Sequence, residues 1–225
     1  MTTEHLTHNR VRLALHTLRA GGEGRPLLLL HGLGERTPDV APPWTASWPG
    51  PVHGLDFTGH GASTMPVGGG YSSETLMADA DAAVHRLGSC TIVGRGVGAY
   101  AALLIAGGRP EQIVGAVLCD GPGLVGGGTG PVGGSSTLLR RRSVLSPPDP
   151  YALHELSHDV RPADYAMTFV HLATSRSSLP MPIAVCAIFR PPWLAAVADH
   201  PAVLDTSLGA ALATFAERGP SPTGR

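Results

Sequence analysis

The chain has 225 residues, 43% of them hydrophobic, with 16 basic and 17 acidic side chains and a formal net charge of −1. A chain of this size buries about 70% of its unfolded surface, enough for one sizeable core, and its near-neutral charge gives no field for nucleic acid or an anionic membrane. Every basic residue is arginine, which excludes lysine Schiff-base chemistry and any phosphate loop that depends on a lysine.

In chain order, Val11–Leu18 reads as a strand, turned by Gly21–Gly24, and Leu27–Leu30 is a continuous apolar strand of the kind buried on both faces. Residues 37–50 read as loop or short helix. A strand follows over 51–57. Ser73–Leu87 carries apolar residues at helical spacing behind a serine cap. Then come strand Cys90–Val93, helix Val97–Ala106 and strand Val114–Cys119. Residues 121–136 hold eight glycines and read as the start of a flexible, lid-like insertion over 121–160. The Arg140–Arg142 run reads as solvated surface. A helix over 161–176, a strand over 182–189, a short helix over 192–200, a strand over 202–205 and a helix over 207–218 complete the pattern, with a frayed tail at 219–225. Strands separated by helices need crossovers, so a mainly parallel sheet in one α/β domain is expected, with ligands bound at the carboxyl ends of its strands.

Cys90, Cys119 and Cys186 lie in apolar runs without metal-ligand spacing, so no metal is expected and they read as buried free thiols of a reducing cytoplasm. The polar N-terminus has no signal-peptide pattern, and no apolar run is long enough to span a membrane. No feature sets an oligomeric state.

Three motifs follow strands in a fixed order: His31-Gly32-Leu33-Gly34, then Asp56-Phe57-Thr58-Gly59-His60-Gly61-Ala62-Ser63, then Gly94-Arg95-Gly96-Val97-Gly98 leading into a small-residue helix. Together they resemble the α/β-hydrolase superfamily, over residues 11–120 by motif and over 180–218 by element order alone. The resemblance implies an α/β-hydrolase fold, ester or amide hydrolysis through a covalent acyl-enzyme, and an oxyanion hole formed by the amides of Leu33 and Val97, with Gly32 and Gly34 shaping its loop. It also implies a nucleophile at position 96, which here is Gly96. The acid position after the strand at 183–189 offers Phe189-Arg190-Pro191-Pro192, and the histidine position after the last strand offers Thr206-Ser207. Asp120 occupies a variant acid position. Such a triad works as a unit, and all three of its places are vacant. The N-myc downstream-regulated family has a similar elbow, with glycine where serine is expected.

The leading expectation is therefore a non-catalytic or atypical member that binds a small apolar or carboxylate-bearing ligand, or a partner. Arg95 is the candidate anion clamp and Trp44 the candidate pocket wall. In the alternative, His31 or Asp120 handles protons beside the oxyanion hole, as in an atypical hydrolase, lyase or isomerase. A remoter alternative reads Gly94-Arg95-Gly96-Val97-Gly98-Ala99 as a dinucleotide fingerprint, with Asp120 on the ribose. Otherwise no cofactor is expected. His154, His158 and His171 are expected on helix surfaces.

Overall fold

The computed structural model describes residues 1–8, 10–127 and 147–217. Most of the Gly-rich insertion, the Arg140–Arg142 run and the tail lie outside the described residues.

The elements are β1 (Thr2–His8), β2 (Val11–Arg19), β3 (Leu27–Leu30), a turn of 3-10 helix (Pro43–Thr45), β4 (Val52–Asp56), α1 (Ser73–Leu87), β5 (Cys90–Arg95), α2 (Val97–Gly108), β6 (Ile113–Cys119), α3 (Pro150–His158), α4 (Ala163–Arg176), β7 (Ile183–Val185), α5 (Pro192–Ala198), β8 (Val203–Asp205) and α6 (Leu208–Glu217). They form one eight-stranded sheet in the order β1-β2-β4-β3-β5-β6-β7-β8. Only the β1–β2 and β2–β4 pairs are antiparallel. This mainly parallel sheet, with helices on both faces and the β5–α2 turn at its centre, is the α/β-hydrolase fold.

Alternation along the central strands divides the core. Leu28, Leu30, Ile92 and Leu118 point into the larger layer beneath α1, α2, α4 and α5. Leu27, Leu29, Val93 and Val117 point into the smaller layer beneath α6. Both faces are thus dry, which is why Leu27–Leu30 shows no polar alternation. Helix α2 is apolar all round and buried over Val97–Gly107, as a helix enclosed by other elements must be. The Ser72 hydroxyl accepts a hydrogen bond from the Thr75 amide and caps α1. No helix among the described residues is long and apolar enough to cross a membrane.

The structure corrects the sequence reading in two places. First, the polar segment Thr2–His8 is a strand, paired residue for residue with β2 at the sheet edge. It has no buried face, so it carries no hydrophobic alternation to detect. Second, the strand expected over 182–189 spans only Ile183–Val185. The Asp120 carboxylate accepts the amides of Ile188 and Phe189 at 2.7 and 3.1 Å, turning the chain away and leaving Ile188 almost wholly exposed.

Candidate active site

The β5–α2 turn is sharp. Gly96 has φ +59° and ψ −122°, outside the regions open to other residues without strain. The amides of Leu33 and Val97 converge beside it. Both donate to one acceptor, the carbonyl oxygen of Pro122, at 3.0 Å each. The acceptor shared by these two amides is the chain's own backbone.

The same segment occupies the space that a side chain at position 96 would need. A Cβ on residue 96 would overlap the Pro122 carbonyl oxygen and lie 2.7 and 2.8 Å from the carbonyl carbons of Gly121 and Pro122, far inside van der Waals contact. Gly123, at φ +76°, lets the segment leave again between Leu33 and Val97. Gly121-Pro122-Gly123 therefore forms a plug directly after β6. It is fastened behind by Arg161, a buried side chain whose guanidinium donates to the carbonyls of Gly123 and Leu124, and by the Trp193 indole, which donates to Leu124 at 2.9 Å. Arg161 also stacks over the Tyr100 ring at 5.0 Å. The first four residues of the insertion expected from residue 121 are thus packed against the β5–α2 turn.

Arg95 is paired within the chain. It grips Glu35 through two parallel hydrogen bonds of 2.9 and 3.0 Å, and Glu35 also accepts the Gly32 amide at 3.0 Å. Burial would raise the Glu35 pKa, but Arg95 and the Gly32 amide hold it below the usual carboxylate range. The clamp already contains an internal carboxylate.

His31 has both ring nitrogens engaged. Nδ1 donates to the Gly32 carbonyl at 2.8 Å, and Nε2 accepts the Phe57 amide at 3.1 Å. Burial, helped by the neighbouring His60 ring, lowers its pKa to about 4 and keeps it neutral. His60 is built likewise, with Nδ1 on the Thr58 carbonyl and Nε2 accepting the Gly34 amide at 3.2 Å. These two rings lock the loop that carries Gly32, Leu33 and Gly34. They leave no free nitrogen for proton transfer. Asp120 is likewise committed to the Ile188 and Phe189 amides. Asp56 ties the neighbouring loop, accepting the amides of Thr37 and Ala62 at 2.8 Å and His16 Nε2 at 3.0 Å. Burial opposes its charge, but these donors hold its pKa below the ordinary value.

The positions after β7 and β8 where an acid and a histidine were expected carry an ion pair. Arg190 meets Asp205, at the end of β8, through contacts of 2.9 and 2.5 Å, linking the two loops that an acid–histidine pair would link. His154 and His158 sit on exposed turns of α3, with ring centres 4.5 Å apart. His171 stands edge-on to His200. No cluster of metal-ligating side chains occurs among the described residues.

Trp44 lies on the other side of the elbow. With Leu29, Leu30, Val93, Pro38 and Pro42 it walls a cavity of about 360 Å³, and Glu35, Arg36 and Arg95 supply a polar rim. Sequence reasoning missed Pro122, Arg161 and Glu35. The available signal was a proline between two glycines directly after a central strand.

No protein-family model matches the chain, and no curated protein matches it. Among solved structures it is similar to the thioesterase domain from the curacin biosynthetic pathway, at 29% identity over 53% of this chain and 44% of that one, with a TM-score of 0.48. It is also similar to the enol-lactonase from Burkholderia xenovorans LB400, at 20% identity over 52% and 46% of the two chains, with a TM-score of 0.44. A meta-cleavage product hydrolase aligns at 24% identity over 55% and 46%, with a TM-score of 0.41. Each match covers less than half of the other protein's length.

Proposed function

We propose that this chain, built on the α/β-hydrolase fold, does not hydrolyse esters or amides through an acyl-enzyme, and that it binds a small, largely apolar ligand beside its elbow. The observation that carries the reading is the Pro122 carbonyl, which takes both oxyanion-hole amides and stands where a residue 96 side chain would be. Any substrate carbonyl would have to displace it, and two buried N–H groups would lose their acceptor during the exchange, at a cost of about 1–3 kcal/mol each. Gly96 supplies no nucleophile, and Arg190 and Thr206 supply neither acid nor base.

The Trp44 cavity supports the binding half of the reading. Its volume lies within the roughly 300–1,000 Å³ of small-molecule sites, and its wall is apolar with a few convergent polar groups. An isomerase, lyase or hydrolase using His31 or Asp120 has less support, because both His31 nitrogens are bonded within the protein and both Asp120 oxygens already accept backbone amides. Dinucleotide binding has less still, since the Val97 amide at the start of α2 already has an acceptor. We take the chain to act in the cytoplasm, in line with its free cysteines.

The test pairs turnover with binding. Purified protein should hydrolyse p-nitrophenyl acetate and short thioesters no faster than a heat-denatured sample. Saturable turnover that survives replacement of surface nucleophiles overturns the first half. Anilinonaphthalene sulfonate, an apolar anionic dye, should bind with enhanced fluorescence, and Trp44→Ala should weaken it about fivefold. Unchanged dye affinity in that variant overturns the second half.

A further inference from the structure

The three cysteines differ in placement. Cys90 begins β5 and is fully buried, and burial pushes its thiol up to about 12. Cys119 ends β6, and Cys186 directly follows β7. Both are free and only half-buried, which corrects the reading of all three as buried thiols.

Register puts this second pair face to face. Leu118 pairs with Val185 in the parallel ladder, and the Cys186 amide continues it by donating to the Leu118 carbonyl at 2.8 Å. The next pair is Cys119 with Cys186. Adjacent strands run about 4.8 Å apart, inside the roughly 4.4–6.8 Å between Cα atoms that a disulfide spans. Both side chains lie against the layer under α6, with Val117 and Ala184. The adjoining Cys186 thiol and the Arg95 charge lower the Cys119 pKa, although burial and the Asp120 charge oppose them. The adjoining Cys119 and burial raise Cys186. One sulfur is therefore set to attack and the other to resolve.

We propose that Cys119 and Cys186 form a redox-active dithiol, oxidised by hydroperoxides to a reversible disulfide between β6 and the end of β7. The Cys119 thiolate attacks one oxygen of hydrogen peroxide. An S–O bond forms, the O–O bond breaks, and hydroxide leaves as water with the proton that Cys119 gave up. The Cys186 sulfur then attacks the Cys119 sulfenic acid. The S–S bond forms, the S–O bond breaks, and hydroxide leaves as water with the Cys186 proton. Two thiols lose two electrons and one peroxide becomes two waters. The bond would add a covalent tie between the segments that Asp120 already joins, at the base of the plug.

The experiment treats the full chain with stoichiometric hydrogen peroxide. Intact mass should fall by two hydrogens, and free thiols counted after unfolding should drop from three to one. A non-reduced digest should contain a Cys119–Cys186 linked peptide, and dithiothreitol should reverse all three changes. In Cys186→Ser, dimedone should trap a sulfenic acid on Cys119. Phenylarsine oxide tests the pairing without a variant, because it condenses with two adjacent thiols to give two S–As bonds and one water. It should add once to the reduced wild type and not at all after oxidation. Oxygen additions without hydrogen loss, disulfide-linked dimers, a linkage involving Cys90 or failure of the arsenical to add would each overturn the proposal.

Discussion

The two sides of the β5–α2 turn meet the surroundings in opposite ways. On one side the Leu33 and Val97 amides, His31, His60 and Asp120 all have partners inside the chain. On the other side, apolar side chains around Trp44 wall a concave surface, and the charged groups at its rim are mostly paired with one another. A polar pocket whose donors are all engaged gives a ligand little to gain, since it must break as many hydrogen bonds as it makes. An apolar cavity needs no such exchange. The two sides of one turn thus offer a ligand different terms.

The largest test of this contrast is Gly96→Ser. Restoring the serine should not restore hydrolysis. It should destabilise the fold by about 3 kcal/mol, through overlap with Pro122 and strain at positive φ, as read by urea unfolding. A variant as stable as wild type, or one that turns over esters, would mean that the plug yields readily.

Next is Arg161→Leu, which strips the carbonyls of Gly123 and Leu124 of their donor and should cost about 2 kcal/mol. Amide hydrogen exchange at Leu33 and Val97 should accelerate in this variant. Unchanged exchange there would show that Arg161 does not hold the plug.

Acid should then act through His31. Its folded pKa is lowered to about 4 from 6.5, so below pH 6.5 the unfolded chain binds a proton that the folded chain refuses. Its contribution to stability is complete above pH 6.5, falls on acidification and levels out near pH 4. Denaturation midpoints across that window should decline more steeply for wild type than for His31→Gln. Parallel curves would disprove the buried neutral ring. The smallest effect belongs to Arg190→Ala. This exposed pair with Asp205 should leave stability nearly unchanged and dye binding unaltered, as read by urea unfolding and dye titration.

Much of this was legible in the sequence. Leu27–Leu30, the Asp56–Ser63 loop and the Gly94–Gly98 turn announce themselves because burial on both faces and tight turns leave local signatures. Strand β1 left none, because none of its side chains is buried and only Leu6 packs against the core. The early end of β7 is set by Asp120, a residue 68 positions from Ile188 in the chain. The Arg95 partner was hidden for a similar reason, since Glu35 reaches it from 60 residues away. The plug was least visible of all. Its acting group is a backbone carbonyl, which every residue possesses, and only the three-dimensional path of Gly121–Gly123 gives it a role.

That path also ties position 96 to a residue 26 places further along the chain. A serine cannot enter at position 96 while Pro122 is in place, and Pro122 cannot withdraw without leaving the Leu33 and Val97 amides bare. Neither step helps without the other. A side chain at position 96 would need both changes together, so the geometry acts as a latch between the two positions.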